Sequence, residues 1–290
     1  MSMPVSSESG AEISAGKSGR DRKRFTALSE ALDDARRRAQ AIVLPEPLLD
    51  FLYSRTRCRS MSRSEWEREI RVATALDENF TRFCSMPLVK DVGRSVDKES
   101  RKAVVRELQS AGNLVLGFHG GFGYMRRRLF GRMFPQGIII GATTRHSAAD
   151  GAHALFAARE ALLSGGAALI APDGRFGKES GLISILGAQL PITDGAPFLA
   201  HSTGCSVIWL ALVRIGDTFT FKTTSAPRRE EGESFSSYRE RFYRFYGDQL
   251  EEAFTGDPAN LPLILNWKLT FNAMLAGKVY RVRRPTRQFK

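Results

Sequence analysis

The chain of 290 residues lacks most of the features that assign a protein at a glance. No apolar run approaches the roughly 18–20 residues that a membrane-spanning helix needs, and the Ser- and Gly-rich start is not a charged segment followed by an apolar core. A cytosolic or membrane-peripheral protein is therefore expected. Cysteine is scarce: Cys58, Cys84 and Cys205 are odd in number and share no metal-like or redox spacing, which fits unpaired thiols in a reduced compartment. The four histidines form no zinc pattern, and no Gly-x-Ser-x-Gly elbow marks a serine hydrolase. Gly16-Lys17-Ser18 is like the end of a phosphate-binding loop, but Gly10 stands one residue too far ahead and no apolar strand leads in, which excludes a nucleotide site there. Acids are missing from the end of the chain. None follows Asp257, while Lys268, Lys278, Arg281, Arg283, Arg284, Arg287 and Lys290 accumulate, a composition that suits adhesion to an anionic leaflet.

What is present can bury a large core. With 42% hydrophobic and 26% charged residues the chain is not disordered, and one α/β domain with a helical preface fits its length. The net charge of +12 favours acidic partners: anionic lipid, nucleic acid, phosphorylated substrates or an acidic carrier protein. Charge alone does not choose among them.

Four regions follow from the pattern. Residues 1–22 read as a flexible tail, 23–96 as a helical region, 97–275 as the α/β domain and 276–290 as a basic tail. In the second region helices are expected over 25–43, closed by Pro45 and Pro47, and over 64–83, with Trp66, Ile70, Ala73 and Leu76 on one side. Asp97 caps a helix carrying Val104, Val105 and Leu108, which ends at Gly112. Strands are then expected over 114–118, 137–141, 167–171 and 207–213. Helices over 124–134, 153–164 and 194–203 alternate with them, and 172–180 reads as a loop. Such alternation predicts a mostly parallel sheet covered on both faces, with ligands outside the strand C-termini. The stretch 235–254 is helical, and its side of Phe235, Tyr238, Phe242, Phe245 and Tyr246 has the spacing of a core face.

Two groups of residues fall at strand ends. Gly117-Phe118-His119-Gly120-Gly121-Phe122-Gly123-Tyr124 puts a histidine where an apolar run gives out, with glycines that let other groups approach its backbone, as a general base requires. Ala171-Pro172-Asp173-Gly174-Arg175-Phe176-Gly177 reads alone as a turn. It follows a buried strand, however, and leads through Gly187 into Thr193-Asp194-Gly195-Ala196-Pro197, a helix start whose amides could face an anion. Met125-Arg126-Arg127-Arg128-Leu129-Phe130-Gly131-Arg132-Met133-Phe134 interleaves basic and apolar residues. It is either a face for a carrier protein or lipid phosphates, or a solvated basic face over a packed helix.

The order of the strand-His-Gly loop, Gly-Gly-Ala-Ala-Leu-Ile-Ala-Pro-Asp-Gly, Gly187, Thr193-Asp194-Gly195-Ala196, Leu199-Ala200 and Thr203-Gly204-Cys205-Ser206-Val207 resembles the lipid A late acyltransferases. These are lauroyl/myristoyl transferases of the lysophospholipid acyltransferase superfamily. The resemblance runs from about Gly112 to Trp267, and its second half matches better than its first. It implies a glycerolipid-acyltransferase-like α/β fold and transfer of an acyl chain from an acyl-carrier-protein or coenzyme A thioester to a hydroxyl of a lipid or glycolipid. The thioester is a co-substrate, and no cofactor or metal is implied. His119 matches the family's base. Five residues on, the family has Asp or Glu and this chain has Tyr124, a phenol without charge at neutral pH. Arg145 is the nearest match to a basic acceptor-binding residue, with a solvated loop arginine as the plain alternative.

Three readings of the departure at Tyr124 stay open. Another acid, Asp150 or Asp173, replaces the missing one; His119 works with Tyr124 alone; or the site is inactive and the protein binds acyl carrier or lipid. His146 and Asp150 are one residue too close for the family's spacing. The expected catalytic residues are His119, Tyr124 and Asp173, and the expected substrate contacts are Gly120, Gly121, Arg126, Arg145, Gly174, Arg175, Thr193 and Gly195. The expected place is the cytoplasmic face of an inner membrane, with an anionic surface as partner and no nucleic acid. A reading from another class is a basic module that binds nucleic acid or polyanions.

Overall fold

A computed structural model describes residues 25–109, 112–141, 148–173 and 179–262. The tails over 1–22 and 276–290, and the residues Arg145, His146, Gly174 and Arg175, lie outside them, as does the side chain of Asp150.

The chain opens with helices α1 (Leu28–Ala39), α2 (Glu46–Tyr53), α3 (Arg63–Arg82), α4 (Met86–Ser95) and α5 (Lys98–Gln109). Local chemistry sets their starts. Pro47 sits in the first turn of α2, where its missing N–H costs nothing. A reciprocal Ser62–Glu65 capping box begins α3, and Asp97 Oδ2 accepts from Ser100 N at the head of α5. On α3 the expected stripe of Trp66, Ile70, Ala73 and Leu76 is buried.

Strands and helices then alternate: β1 (Asn113–Leu116), α6 (Gly123–Met133), β2 (Ile138–Ile139), α7 (Ala148–Leu163), β3 (Ala167–Ile170), β4 (Glu179–Ile185), β5 (Ala188–Thr193), α8 (Gly195–Thr203), β6 (Ser206–Ile215), β7 (Thr218–Ser225) and α9 (Phe235–Thr255). The main sheet has the order β2-β3-β1-β6-β7, parallel except for β7. Its two faces follow the period of two along a strand. Leu114, Leu116, Ile170 and Trp209 join α7, α8 and α9 in one hydrophobic cluster. Val115, Leu169, Ile208 and Leu210 join α1, α4 and α6 in the other. The protein is thus α/β, with a mostly parallel central sheet flanked by helices. The first helices belong to the same packing, because Trp66 and Ile70 of α3 enter one cluster and Leu76 and Phe80 the other.

Helices α2 and α4 and the strands β4, β5 and β7 were not individually expected. Residues 179–180, read as loop, begin the hairpin β4–β5, which turns at Leu186 and Gly187, both left-handed with φ of 51° and 82°. Gly181 and Pro191 interrupt the alternation that would have signalled it. The Thr-rich strand β7 returns antiparallel after Gly216 and closes the sheet edge.

Candidate active site

The register of the sheet builds the site. Leu116 of β1 lies opposite Ile170 of β3, and Gly117 N donates to Ile170 O across 2.8 Å. His119 and Asp173 stand at the same distance beyond these paired strand ends, so neighbouring strands about 4.8 Å apart deliver their two loops to one place. The loop after β1 folds back because Phe118 stacks on Trp209 (4.9 Å, 7°) and because Gly121 is left-handed at φ 54°, where a Cβ would come within 2.5 Å of the Phe118 ring.

Asp173 grips His119 twice. Its Oδ2 accepts from His119 N at 2.9 Å, and its Oδ1 lies 3.2 Å from His119 Nδ1. The Tyr246 hydroxyl sits 2.8 Å from the same Oδ1 and 2.9 Å from Gly117 O, and its single proton serves one or the other. Thr193 secures the turn, its N–H and hydroxyl both donating to Pro172 O. The side chain of Asp173 is 1% exposed and that of His119 is 30% exposed. Burial alone would raise the Asp173 carboxyl. The His119 charge and the bonds from His119 and Tyr246 outweigh it and hold the group below the usual carboxylate range. An ionised Asp173 can only accept, so the Nδ1 proton points at it and Nε2 is the basic nitrogen. Tyr246 is pushed the other way, well above a normal phenol, by burial and by the adjacent Asp173 charge.

Tyr124 takes no part in this pair. Its hydroxyl accepts from Nε and Nη2 of Arg128 one turn along α6, at 3.0 and 2.6 Å. Of the three readings left open by the missing acid, the geometry is that of Asp173 beside His119. The reading in which His119 works with Tyr124 alone is not the arrangement seen, since the Tyr124 hydroxyl is on Arg128.

The arginines of α6 also depart from a uniform basic face. Arg128 and Arg132 are exposed and Arg127 half-buried, but Arg126 is 2% exposed. Its Nη2 donates to Phe118 O at 2.5 Å and its Cζ lies 4.6 Å from the Phe118 ring centre. Gly117 makes the room, since a Cβ there would fall 2.9 Å from Arg126 Nη2. Burial lowers Arg126 to about 10.

A cavity of about 310 Å³ opens beside His119. Phe118, Ile140, Leu169, Ile170 and Ala171 supply apolar wall, and Asp77, Thr81, Tyr124, Arg126, Arg127 and Thr193 supply polar groups. Gly120 lines it too, whereas Gly121 lines a separate groove with Phe118 and Trp209. Gly195 is a packing position, where a Cβ would meet Leu155 and Ile170 at 3.3–3.4 Å. The neighbouring Asp194 carboxylate receives the Tyr243 hydroxyl and lies 3.6 Å from Arg239, so the start of α8 already has an anion beside it.

Sequence reasoning missed Tyr246 and Asp77. Tyr246 was read as core, although a tyrosine in a buried stripe needs a partner for its hydroxyl. Asp77 continues the spacing Trp66, Ile70, Ala73 and is an acid on an apolar face. It is 5% exposed, and its Oδ1 has no hydrogen-bond partner among the described residues. Burial raises its carboxyl to about 7 against the pull of Arg126 and Arg127.

Compared with known proteins, the chain matches no family model and no curated protein at a significant level. Among the described residues no helix is long and apolar enough to cross a membrane, and no group of three or more His, Cys, Asp or Glu side chains is placed to hold a metal ion.

Proposed function

We propose that the protein is an acyltransferase, a divergent relative of the lipid A late acyltransferases. It moves a fatty acyl chain from a carrier-protein or coenzyme A thioester to a hydroxyl of a lipid or glycolipid at the cytoplasmic face of a membrane. The observation that carries this is the His119–Asp173 pair at the C-terminal ends of adjacent parallel strands, opening on a partly apolar cavity whose described lining has no serine or cysteine.

The hydroxyl on which this base acts is one brought by the substrate. His119 Nε2 takes the proton of the acceptor hydroxyl as its oxygen attacks the thioester carbonyl, forming the C–O bond. Asp173 stabilises the imidazolium that results. Collapse of the tetrahedral intermediate breaks the C–S bond, and the imidazolium returns its proton to the leaving thiolate. Phe118, Ile140, Leu169 and Ile170 offer the acyl chain apolar surface, worth about 25 cal/mol per Å² buried.

The test is mass spectrometry of lipid extracts incubated with purified protein and acyl-carrier or acyl-coenzyme A thioesters. A new acylated lipid that disappears in His119→Ala is expected. Absence of product with every donor, while thioester or lipid still binds, would overturn the transferase and leave a binding protein.

A further inference from the structure

Asp77 and Arg126 share the cavity with His119, and neither is used by the base or its partner. Asp77 comes from α3 and Arg126 from α6, so the two are brought together by the fold alone. Both are at least 95% buried, at 5% and 2% exposure. Among the described residues Asp77 Oδ1, Arg126 Nε and Arg126 Nη1 have no hydrogen-bond partner. Buried polar groups without partners each cost on the order of 1–3 kcal/mol, and more when charged. The side chains that carry this acceptor and these donors line the cavity beside His119.

Resting on the acyltransferase reading, we propose that Asp77 and Arg126 form a donor–acceptor pair that binds a secondary amide of the substrate beside His119. Asp77 accepts the amide N–H, and Nη1 of Arg126 donates to the amide carbonyl. Charge favours this class. Above about pH 7, where Asp77 is ionised, a phosphate or carboxylate at Arg126 would also meet its negative charge, whereas a neutral amide offers a donor to one group and an acceptor to the other. Arg127, the other cation of the wall, is only half-buried and keeps contact with water.

The donor has such an amide in the right place. In a pantetheine thioester the first amide nitrogen is separated from the sulfur by two methylenes, so a thioester carbonyl at His119 brings that amide into the same cavity. An N-acylated sugar headgroup on the acceptor has the same chemistry. The two sources are separated by experiment.

Binding of three probes, pantetheine, N-acetylglucosamine and inorganic phosphate, is measured by ligand-detected NMR and calorimetry on the full chain. The proteins are wild type, Asp77→Leu, Asp77→Asn and His119→Ala, with thermal unfolding recorded for each. Leucine fills the place of the carboxyl without its acceptor, and asparagine keeps an acceptor oxygen. Pantetheine is expected to bind wild type and His119→Ala alike, to lose at least tenfold in Asp77→Leu and to recover most of it in Asp77→Asn. The same pattern for N-acetylglucosamine instead would place the amide on the acceptor and support the pair equally. Neither amide binding wild type, equal binding to wild type and Asp77→Leu, or phosphate that binds wild type and tightens in Asp77→Leu would overturn the proposal. Acyl transfer is followed in the same preparations. Transfer without Asp77-dependent binding sinks the amide pair alone, and Asp77-dependent binding without transfer sinks the transferase alone.

Discussion

Replacing Asp173 by asparagine tests the site most directly, because it keeps the shape and removes the charge. Nδ1 of His119 and Oδ1 of Asp173 are 3.2 Å apart. Unit charges at that distance attract by about 5 kcal/mol at an effective dielectric of about 20. The His119 ring is 30% exposed, so water screens part of this and about 3–4 kcal/mol is retained for the imidazolium formed in the transition state. At 1.36 kcal/mol per decade this corresponds to a fall of about two to three orders of magnitude in kcat. KM should change little, because the carboxylate acts on a charge that is absent from the ground state. The assay is steady-state transfer from a defined thioester, with kcat and KM resolved at several pH values. A fall of less than about tenfold in kcat, or a loss confined to KM, would refute the pairing as the source of basicity.

Three further outcomes follow. Tyr246→Phe removes the one hydroxyl proton shared between Asp173 Oδ1 and Gly117 O; a hydrogen bond to a charged group is worth about 1.5–3 kcal/mol, so a loss of up to that size in urea unfolding and a smaller loss of kcat than in Asp173→Asn are expected. Asp77, raised to about 7, binds a proton in the folded protein between about pH 4 and 7 that the unfolded chain has released, so its contribution lowers stability as pH rises through that window, by at most about 1.4 kcal/mol per pH unit. Asp77→Asn should flatten the urea midpoint across that window and raise it at pH 8; an unchanged pH profile would show that the carboxyl is not held neutral by burial. Gly121→Ala forces a side chain into a left-handed residue and against the Phe118 ring, which should cost about 1–3 kcal/mol and reduce activity through the misplaced His119 loop.

Much of the fold was legible because its signals are local. Apolar patterns ended by Gly112, by Gly165-Gly166 and by the Asp173 turn mark α5, α7 and β3, and each expected strand is present within a few residues. The hairpin was not legible, since Gly181 and Pro191 break its period of two. For the site, sequence showed that His119 and Asp173 both end strands, but not that β1 and β3 are neighbours. Strand order is a long-range property, and only the register Leu116 to Ile170 brings the two loops together. Tyr246 lies 73 residues beyond Asp173, and its hydroxyl distinguishes it from the surrounding aromatic stripe only when the strand ends beneath α9 are known. Asp77 was visible as an acid on an apolar face, but its meaning required α6 to bring Arg126 to the same wall.

Position 124 permits a sharper test of how the acid is supplied. An acid five residues after His119 would stand on the first turn of α6, and Tyr124 there is already engaged by both Nε and Nη2 of Arg128. A glutamate introduced at this position has Arg128 four residues along the same helix, the favoured spacing for an acid preceding a base. It also finds His119 Nδ1 already facing Asp173. Tyr124→Glu should therefore leave kcat within about threefold of wild type, because the new charge is taken by Arg128 rather than by the ring. In the Asp173→Asn background the same substitution should restore little, since Tyr246 and the main chain of His119 still hold the loop around residue 173. Restoration of more than about tenfold in the double variant would show that α6 can present an acid to His119 as the loop after β3 does. In that case Asp173 would be one of two interchangeable partners, and the division of labour between strand-end loop and helix would be wrong.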